Sequence, residues 1–182
     1  MKDKLRLNVG CGWRDFGADW VHIDGGDYPH LDYHNIMELP QQKDSVDLLY
    51  ASHVIAYFDR EEIVPLLSEW KRVLKPGGIL RLATPNFVKY AELYSLGKIS
   101  LNQCVGPLYG QMPLNNETIY HKTTYDFESL SCILKKLEMK EVQEYNLNDT
   151  EHAHLDDHSH SYIPYKDFEN GTLMSLNVQC KK

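Results

Sequence analysis

The chain has 182 residues, 42% of them hydrophobic, with a formal charge of −7. That length suits one domain with its own core, burying roughly 70% of its unfolded surface. The acidic balance, with no basic run longer than a pair such as Lys135-Lys136 or Lys181-Lys182, argues against folded nucleic acid as a partner, since such partners call for a basic face.

No apolar stretch approaches the ~20 residues that span a bilayer, so no membrane association is expected. The charged start Met1-Lys2-Asp3-Lys4 leaves no room for a signal peptide and points to the cytoplasm. Cys11, Cys104, Cys132 and Cys180 are scattered without a Cys-x-x-Cys pair, which predicts neither a zinc site nor a disulfide framework.

Leu5–Gly10 reads as the first strand, and it runs into Gly10-Cys11-Gly12. The second strand, Trp20–Ile23, ends in Asp24. A strand feeding a tight glycine turn, with a carboxylate at the tip of the next strand, is how a doubly wound sheet grips a nucleoside-bearing cofactor. Gly10 and Gly12 admit close backbone approach, Cys11 is a small filler, and Asp24 is placed to accept from ribose hydroxyls. The third glycine of the dinucleotide fingerprint is replaced by Asp15, an anion where a pyrophosphate would lie. A phosphate-free ligand, S-adenosylmethionine, fits this turn better than a nicotinamide dinucleotide. Only Trp13–Asp19 separate the turn from the second strand, so the first helix is reduced to a turn or stub.

A short strand is expected at Leu31–His34, followed by Asn35-Ile36, and a fourth at Ser45–Tyr50. Ser52 and His53 follow it, at the edge where open α/β sheets hold ligands. Arg60–Leu74 has the clearest helical period, with Ile63, Leu66, Leu67, Trp70, Val73 and Leu74 on one face. Asp59 and Glu62 are spaced as a capping box, and Pro65 predicts a kink or an irregular first turn. Lys75-Pro76-Gly77-Gly78 turns the chain into a fifth strand, Ile79–Ala83, and a helix follows at Phe87–Leu96. Residues 98–124 hold Gly106-Pro107, Gly110, Pro113 and Asn115-Asn116 and read as a long irregular lid. A helix over Asp126–Leu137 and strands at Met139–Tyr145 and Leu173–Cys180 complete the chain.

These segments resemble class I S-adenosylmethionine-dependent methyltransferases of the type 11 kind. Asn8-Val9-Gly10-Cys11-Gly12 and Ile23-Asp24 resemble the family's first two motifs. Leu39-Pro40 with Ser45–His53 resembles its fourth strand, and Glu69–Leu82, with Arg72-Val73-Leu74-Lys75-Pro76-Gly77-Gly78, its helix, turn and fifth strand. The resemblance covers residues 5–86. It implies one three-layer α/β/α domain over residues 1–182, a Rossmann-like, mostly parallel sheet whose last strand inserts antiparallel between the fifth and sixth. It also implies a cofactor site of Asn8, Gly10, Cys11, Gly12, Asp24, Asn35, Ile36 and Ser52. Asn35 takes the position of the family's usual acid, where its side-chain oxygen would accept from the adenine amino group.

Methyl transfer to oxygen needs a base, and the candidates are His53, Tyr57 and His121. The 146–171 excursion carries four histidines and three carboxylates between Glu151 and His160. This stretch reads as a solvated loop, a transition-metal site or a substrate contact. No metal is assigned. Its polar groups beside the lid tyrosines suggest a small polar acceptor such as a saccharide or sugar nucleotide. The competing reading is a non-catalytic, S-adenosylmethionine-binding protein that keeps the fold.

Overall fold

The computed structural model describes residues 4–182. Met1, Lys2 and Asp3, part of the charged start noted above, lie outside the described residues. In chain order the strands are β1 Arg6–Val9, β2 Val21–Ile23, β3 Val46–Ser52, β4 Leu74–Pro85, β5 Met112–Leu114, β6 Glu117–Ile119, β7 Lys140–Glu144, β8 Tyr162–Ile163, β9 Thr172–Leu173 and β10 Ser175–Lys181. The helices are α1 Ile63–Val73, α2 Phe87–Ser95, α3 Leu101–Tyr109 and α4 Phe127–Lys136.

Six strands form one sheet in the order β2-β1-β3-β4-β10-β7. β1 to β4 run parallel. β10 lies antiparallel between β4 and β7, as expected of the last strand. The other strands make two small hairpins, β5-β6 and β8-β9.

The two faces of this sheet are built from different chemistry. Side chains alternate between faces along a strand. Leu7, Val9, Ile23, Leu49, Ala51, Leu80, Leu82, Leu176, Val178 and Cys180 share one face and are buried in one cluster with Leu66, Leu67 and Trp70 of α1 and Leu130 and Leu134 of α4. Burying each large aliphatic side chain is worth about 1.5–3 kcal/mol. The intervening residues Asn8, His22, Tyr50, Arg81, Ser175 and Asn177 point the other way, and all are buried as well.

Among the described residues no α-helix packs on that second face. The outer layer expected there is made by residues 13–20, which run as turns, and by the 146–161 excursion. Phe16 and Trp20 pack with Leu48 and Tyr50 in a small apolar cluster. The His152 ring lies 4.2 Å from the Tyr50 ring. Polar pairs hold the rest of the excursion down. Tyr50 donates to the buried Asp157. Arg81 donates to Glu151 at 2.7 Å and packs over the Tyr145 ring at 5.2 Å.

Local details explain the departures from expectation. The strand expected at Leu31–His34 is a single bridge, Ile23 to Tyr33. This polar run leaves Asp32, Tyr33 and His34 exposed and buries no face that would repay strand pairing. Asp59 and Glu62 do exchange side-chain and backbone hydrogen bonds, and α1 proper begins at Ile63. Pro65 therefore falls in the first turn, where its missing N–H needs no partner.

Residues 98–124 are not irregular. Ser100 and Gln103 form a capping box that starts α3, and Cys104 packs with Tyr90, Leu93, Ile99 and Met174 beyond the strand ends. Pro107 sits in the last turn of α3, before Gly110 at φ +57°, so Gly106-Pro107 ends the helix without preventing it. Among the described residues no helix is long and apolar enough to cross a membrane.

Candidate active site

The carboxyl ends of the parallel strands open into a cavity of about 770 Å³, lined by loops after β1, β2 and β3 and by the 98–124 segment. Gly10 and Gly12 both have positive φ, +70° and +58°. A Cβ on Gly10 would meet Val54 Cγ2 at 2.1 Å, so glycine is required there by packing as well as by conformation. A Cβ on Gly12 would meet nothing within 4 Å, because it would stand in the open cavity.

Asp24 fixes the shape of the loops around it. Its Oδ2 accepts from the Gly12 amide at 2.8 Å and its Oδ1 from the Gly26 amide at 2.7 Å. Each carboxylate oxygen keeps a second lone pair, so the group can still take a ribose hydroxyl. Cys11 is buried beside it, and its thiol is pushed up to about 12 by burial and by the Asp24 charge. Both effects disfavour the thiolate that a nucleophile needs.

The four other expected cofactor residues, Asn8, Asn35, Ile36 and Ser52, are placed differently from one another. Ile36 lines the cavity, and its carbonyl is held by Trp70 Nε1 at 2.9 Å. Asn35 also lines it, but its Oδ1 accepts from the amides of Met37 at 2.9 Å and Glu38 at 3.2 Å. Both lone pairs are spent in this turn, so the oxygen is not offered to an adenine amine. Asn8 is 2% exposed and is absent from the cavity wall. Strand alternation turns it onto the polar face, where its Nδ2 has no protein partner. Ser52 lines the cavity with a buried hydroxyl that has no protein partner.

His53, Tyr57 and His121 all line the cavity. His121 Nδ1 lies 2.9 Å from the Pro107 carbonyl. A carbonyl only accepts, so Nδ1 carries the proton and Nε2 keeps its lone pair. The Tyr57 ring meets the His121 ring edge-on at 4.5 Å. Burial pushes the His121 imidazole down and the Tyr57 phenol up.

His53 has φ +57°, a conformation that a non-glycine residue adopts at a cost. Its Nε2 lies 3.2 Å from Ser175 Oγ. The Ser175 hydroxyl is 2.9 Å from Asn177 Oδ1, and Asn177 Nδ2 donates to the Ser159 carbonyl at 3.1 Å. The amide orientation thus sends the Ser175 proton to Asn177, so His53 Nε2 donates and Nδ1 holds the lone pair. The chain ends on a carbonyl, not a carboxylate, and so does not stabilise an imidazolium. Burial, then the neighbouring His158 and His121, hold the His53 imidazole well below its ordinary range.

The histidine-rich stretch divides between two sites. His152 and Asp157 are buried against the sheet, whereas His158 reaches the cavity, with its ring 5.1 Å from that of His53. Among the described residues no group of three or more His, Cys, Asp or Glu is arranged to hold a metal. Sequence reasoning did not single out Arg14, which lines the cavity two residues beyond Gly12; its place right after the glycine turn was the available signal. Ser175 and Asn177 were also passed over, and their alternation with Leu176 and Val178 was the available signal.

Residues 7–82 match a family described as a methyltransferase domain. A probable S-adenosylmethionine-dependent methyltransferase from Mycolicibacterium smegmatis is 32% identical over 105 residues, 47% of this chain. The chain spans 39% of the length of that curated relative. A SAM-dependent methyltransferase from Archaeoglobus fulgidus has the same fold, with a TM-score of 0.63 and 17% identity over 100% of this chain and 87% of its own. A Burkholderia thailandensis 1,6-didemethyltoxoflavin-N1-methyltransferase, solved with 1,6-didemethyltoxoflavin and S-adenosylhomocysteine, aligns at a TM-score of 0.56 and 12% identity over 98% of this chain and 70% of its own. Residues 7–82 thus match the sequence of a methyltransferase domain, and the whole chain shares its fold with SAM-dependent methyltransferases of known structure.

Proposed function

We propose that this protein transfers a methyl group from S-adenosylmethionine to a small-molecule acceptor. The observation that carries the reading is the cradle at Gly12 and Asp24. A backbone turn open where a Cβ would intrude adjoins a buried carboxylate whose position two amides fix. When bound there, the cofactor supplies a methyl group already activated on a sulfonium.

The protein's part is to orient, to exclude water and to take a proton. Asp24 holds the ribose, and Ile36 and Ser52 flank the nucleoside. With the cofactor bound, a neutral imidazole would take the proton that the acceptor loses on methylation. His53 through Nδ1 and His121 through Nε2 are the bases in position. The β5-β6 hairpin acts as the lid: Asn115 Nδ2 reaches the Gly25 carbonyl at 3.3 Å, across the mouth of the cavity.

A small acceptor fits an enclosed site of this size and the acidic charge of the chain. The solved Burkholderia neighbour holds a small heterocycle. A saccharide acceptor loses its main support, because the excursion's carboxylates are engaged elsewhere: Glu151 with Arg81, Asp156 with Lys166 and Asp157 with Tyr50. The free thiols of Cys11, Cys104, Cys132 and Cys180 suit a cytoplasmic location.

Calorimetric titration with S-adenosylmethionine and S-adenosylhomocysteine, with NAD as control, tests the reading. Micromolar binding of the first two and none of NAD is expected. Asp24→Ala should weaken S-adenosylhomocysteine by about tenfold or more, the scale of a lost hydrogen bond to a charged group. Wild-type affinity in that variant refutes the ribose assignment, and no binding to the wild type refutes methyl transfer.

A further inference from the structure

We propose that the acceptor end of the cavity is an oxyanion site built on Arg14, and that the methyl acceptor is a small molecule bearing a carboxylate or a phosphate. The proposal rests on the methyl-transfer reading above, and it adds the class of acceptor.

The chain carries seven more acidic than basic charges, yet its cavity wall does not share that excess of carboxylates. Among the described residues Asp24 is the only carboxylate in the wall, and it lies at the cofactor end with both oxygens taking backbone amides. The basic side chains in the wall are Arg14, His34, His53, His121 and His158. With the buried histidines neutral, Arg14 is the fixed positive charge of this wall, and a fixed charge in a low-dielectric cleft attracts a ligand of the opposite sign.

Arg14 is held in place without being neutralised. Its Nε donates to the Asp156 carbonyl at 3.3 Å and its Nη2 to His158 Nε2 at 3.4 Å, and the guanidinium lies over the Trp13 ring at 4.7 Å. Those bonds use two of its five N–H groups. The remaining fork is the geometry that pairs with a planar carboxylate or a phosphate. Among the described residues Arg14 has no carboxylate within ion-pair distance. Asp156, whose carbonyl it touches, gives its own carboxylate to Lys166 at 2.9 Å.

The neighbours connect this cation to the chemistry. Arg14 contacts His158, and the His158 ring stands 5.1 Å from that of His53. An acceptor anchored by its anion on Arg14 therefore presents a nucleophile one imidazole away, beside the His53 lone pair. The positive charge of Arg14 helps hold His158 and His53 neutral, after the larger effect of burial. A bound anion reverses that influence, so binding brings proton uptake by these rings.

The experiment uses the full chain saturated with S-adenosylhomocysteine and titrated separately with inorganic phosphate and with acetate at constant ionic strength. Binding is followed by the imidazole resonances of His53 and His158. Saturable shifts at millimolar anion are expected. Phosphate alone acting identifies a phosphorylated acceptor, and both acting a carboxylate. Arg14→Gln should weaken the anion by about tenfold or more while S-adenosylhomocysteine affinity stays within about twofold, and Arg14→Lys should recover part of the loss.

Absence of saturable shifts with both anions in the loaded wild type overturns the proposal. So does an Arg14→Gln variant that loses S-adenosylhomocysteine affinity tenfold, since Arg14 would then serve the cofactor's own carboxylate. Failure of S-adenosylhomocysteine to bind the wild type is a separate result, and it overturns methyl transfer itself.

Discussion

The helical face and the polar face of the sheet are equally buried, yet they are held by different forces. Under α1 and α4 the contacts are aliphatic and aromatic, and burial itself supplies the free energy. Under the excursion the buried groups are Asn8, His22, Tyr50, Arg81 and Asn177, and burial costs free energy wherever a partner is missing. The first face tolerates any well-packed apolar cover. The second accepts only a cover with the right donors and acceptors in the right places. This difference explains how a loop with no helix can replace a helical layer, and it makes the polar face the one that carries specificity.

Four measurements break or sharpen this contrast. The largest effect belongs to the helical face. Trp70 is fully buried, and Trp70→Ala should cost ~3–5 kcal/mol, read from the denaturation midpoint.

The polar face should instead respond to pH. His152 is 1% exposed, and burial, followed by the Arg81 charge, lowers its imidazole to about 4. The unfolded chain therefore takes up a proton first as pH falls, and native stability declines between about 6.5 and 4 by up to ~3 kcal/mol. His53, His121 and His158 are lowered too and act in the same direction. Melting temperature against pH should fall on acidification, and His152→Gln should flatten the curve; an unchanged slope contradicts the assignment.

Tyr50→Phe should come next, at ~1–3 kcal/mol, because it leaves the buried Asp157 carboxylate without the phenol. A neutral result would mean that water replaces the hydroxyl and that the excursion is not pinned there.

The smallest change in stability, about 1 kcal/mol, is expected for Ser175→Ala, whose effect should be visible at His53 instead. Nitrogen-15 shifts should show one tautomer in the wild type and a mixture in the variant. Asn177→Asp brings a carboxylate toward the same ring and should raise its pKa. If neither variant alters the His53 resonances, the Ser175–Asn177 chain does not hold the ring.

Much of this was legible in the sequence, and the rest was hidden for physical reasons. Asn8-Val9-Gly10-Cys11-Gly12, Asp24 and the Arg72–Gly78 turn pointed to the sheet and its ligand edge, because glycine and strand-end acids are local signals. The uneven layers were written in the alternation of Arg6-Leu7-Asn8-Val9 and Leu176-Asn177-Val178-Gln179-Cys180, since strands covered by helices on both faces read as continuous apolar runs. Helix α3 was masked by Gly106-Pro107, whose breaking effect depends on where in the helix they fall. The burial of His152 and Asp157 was not legible at all: each depends on Tyr50 or Arg81, far away in the chain, and a polar loop looks the same before and after it finds such partners.

The two faces also differ in when they are covered. The apolar face receives α1 almost as soon as β3 has been made. The hydrogen bond from Tyr50 to Asp157 spans 107 residues, so at ~5–20 residues per second a ribosome needs on the order of 5–20 s to deliver the cover for the polar face. Throughout that interval residues 13–20 are the only cover that the chain already made supplies to the polar face of β1, β2 and β3. The side left open is the one water can wet, so the nascent sheet waits for its late partner without offering an adhesive surface to other chains.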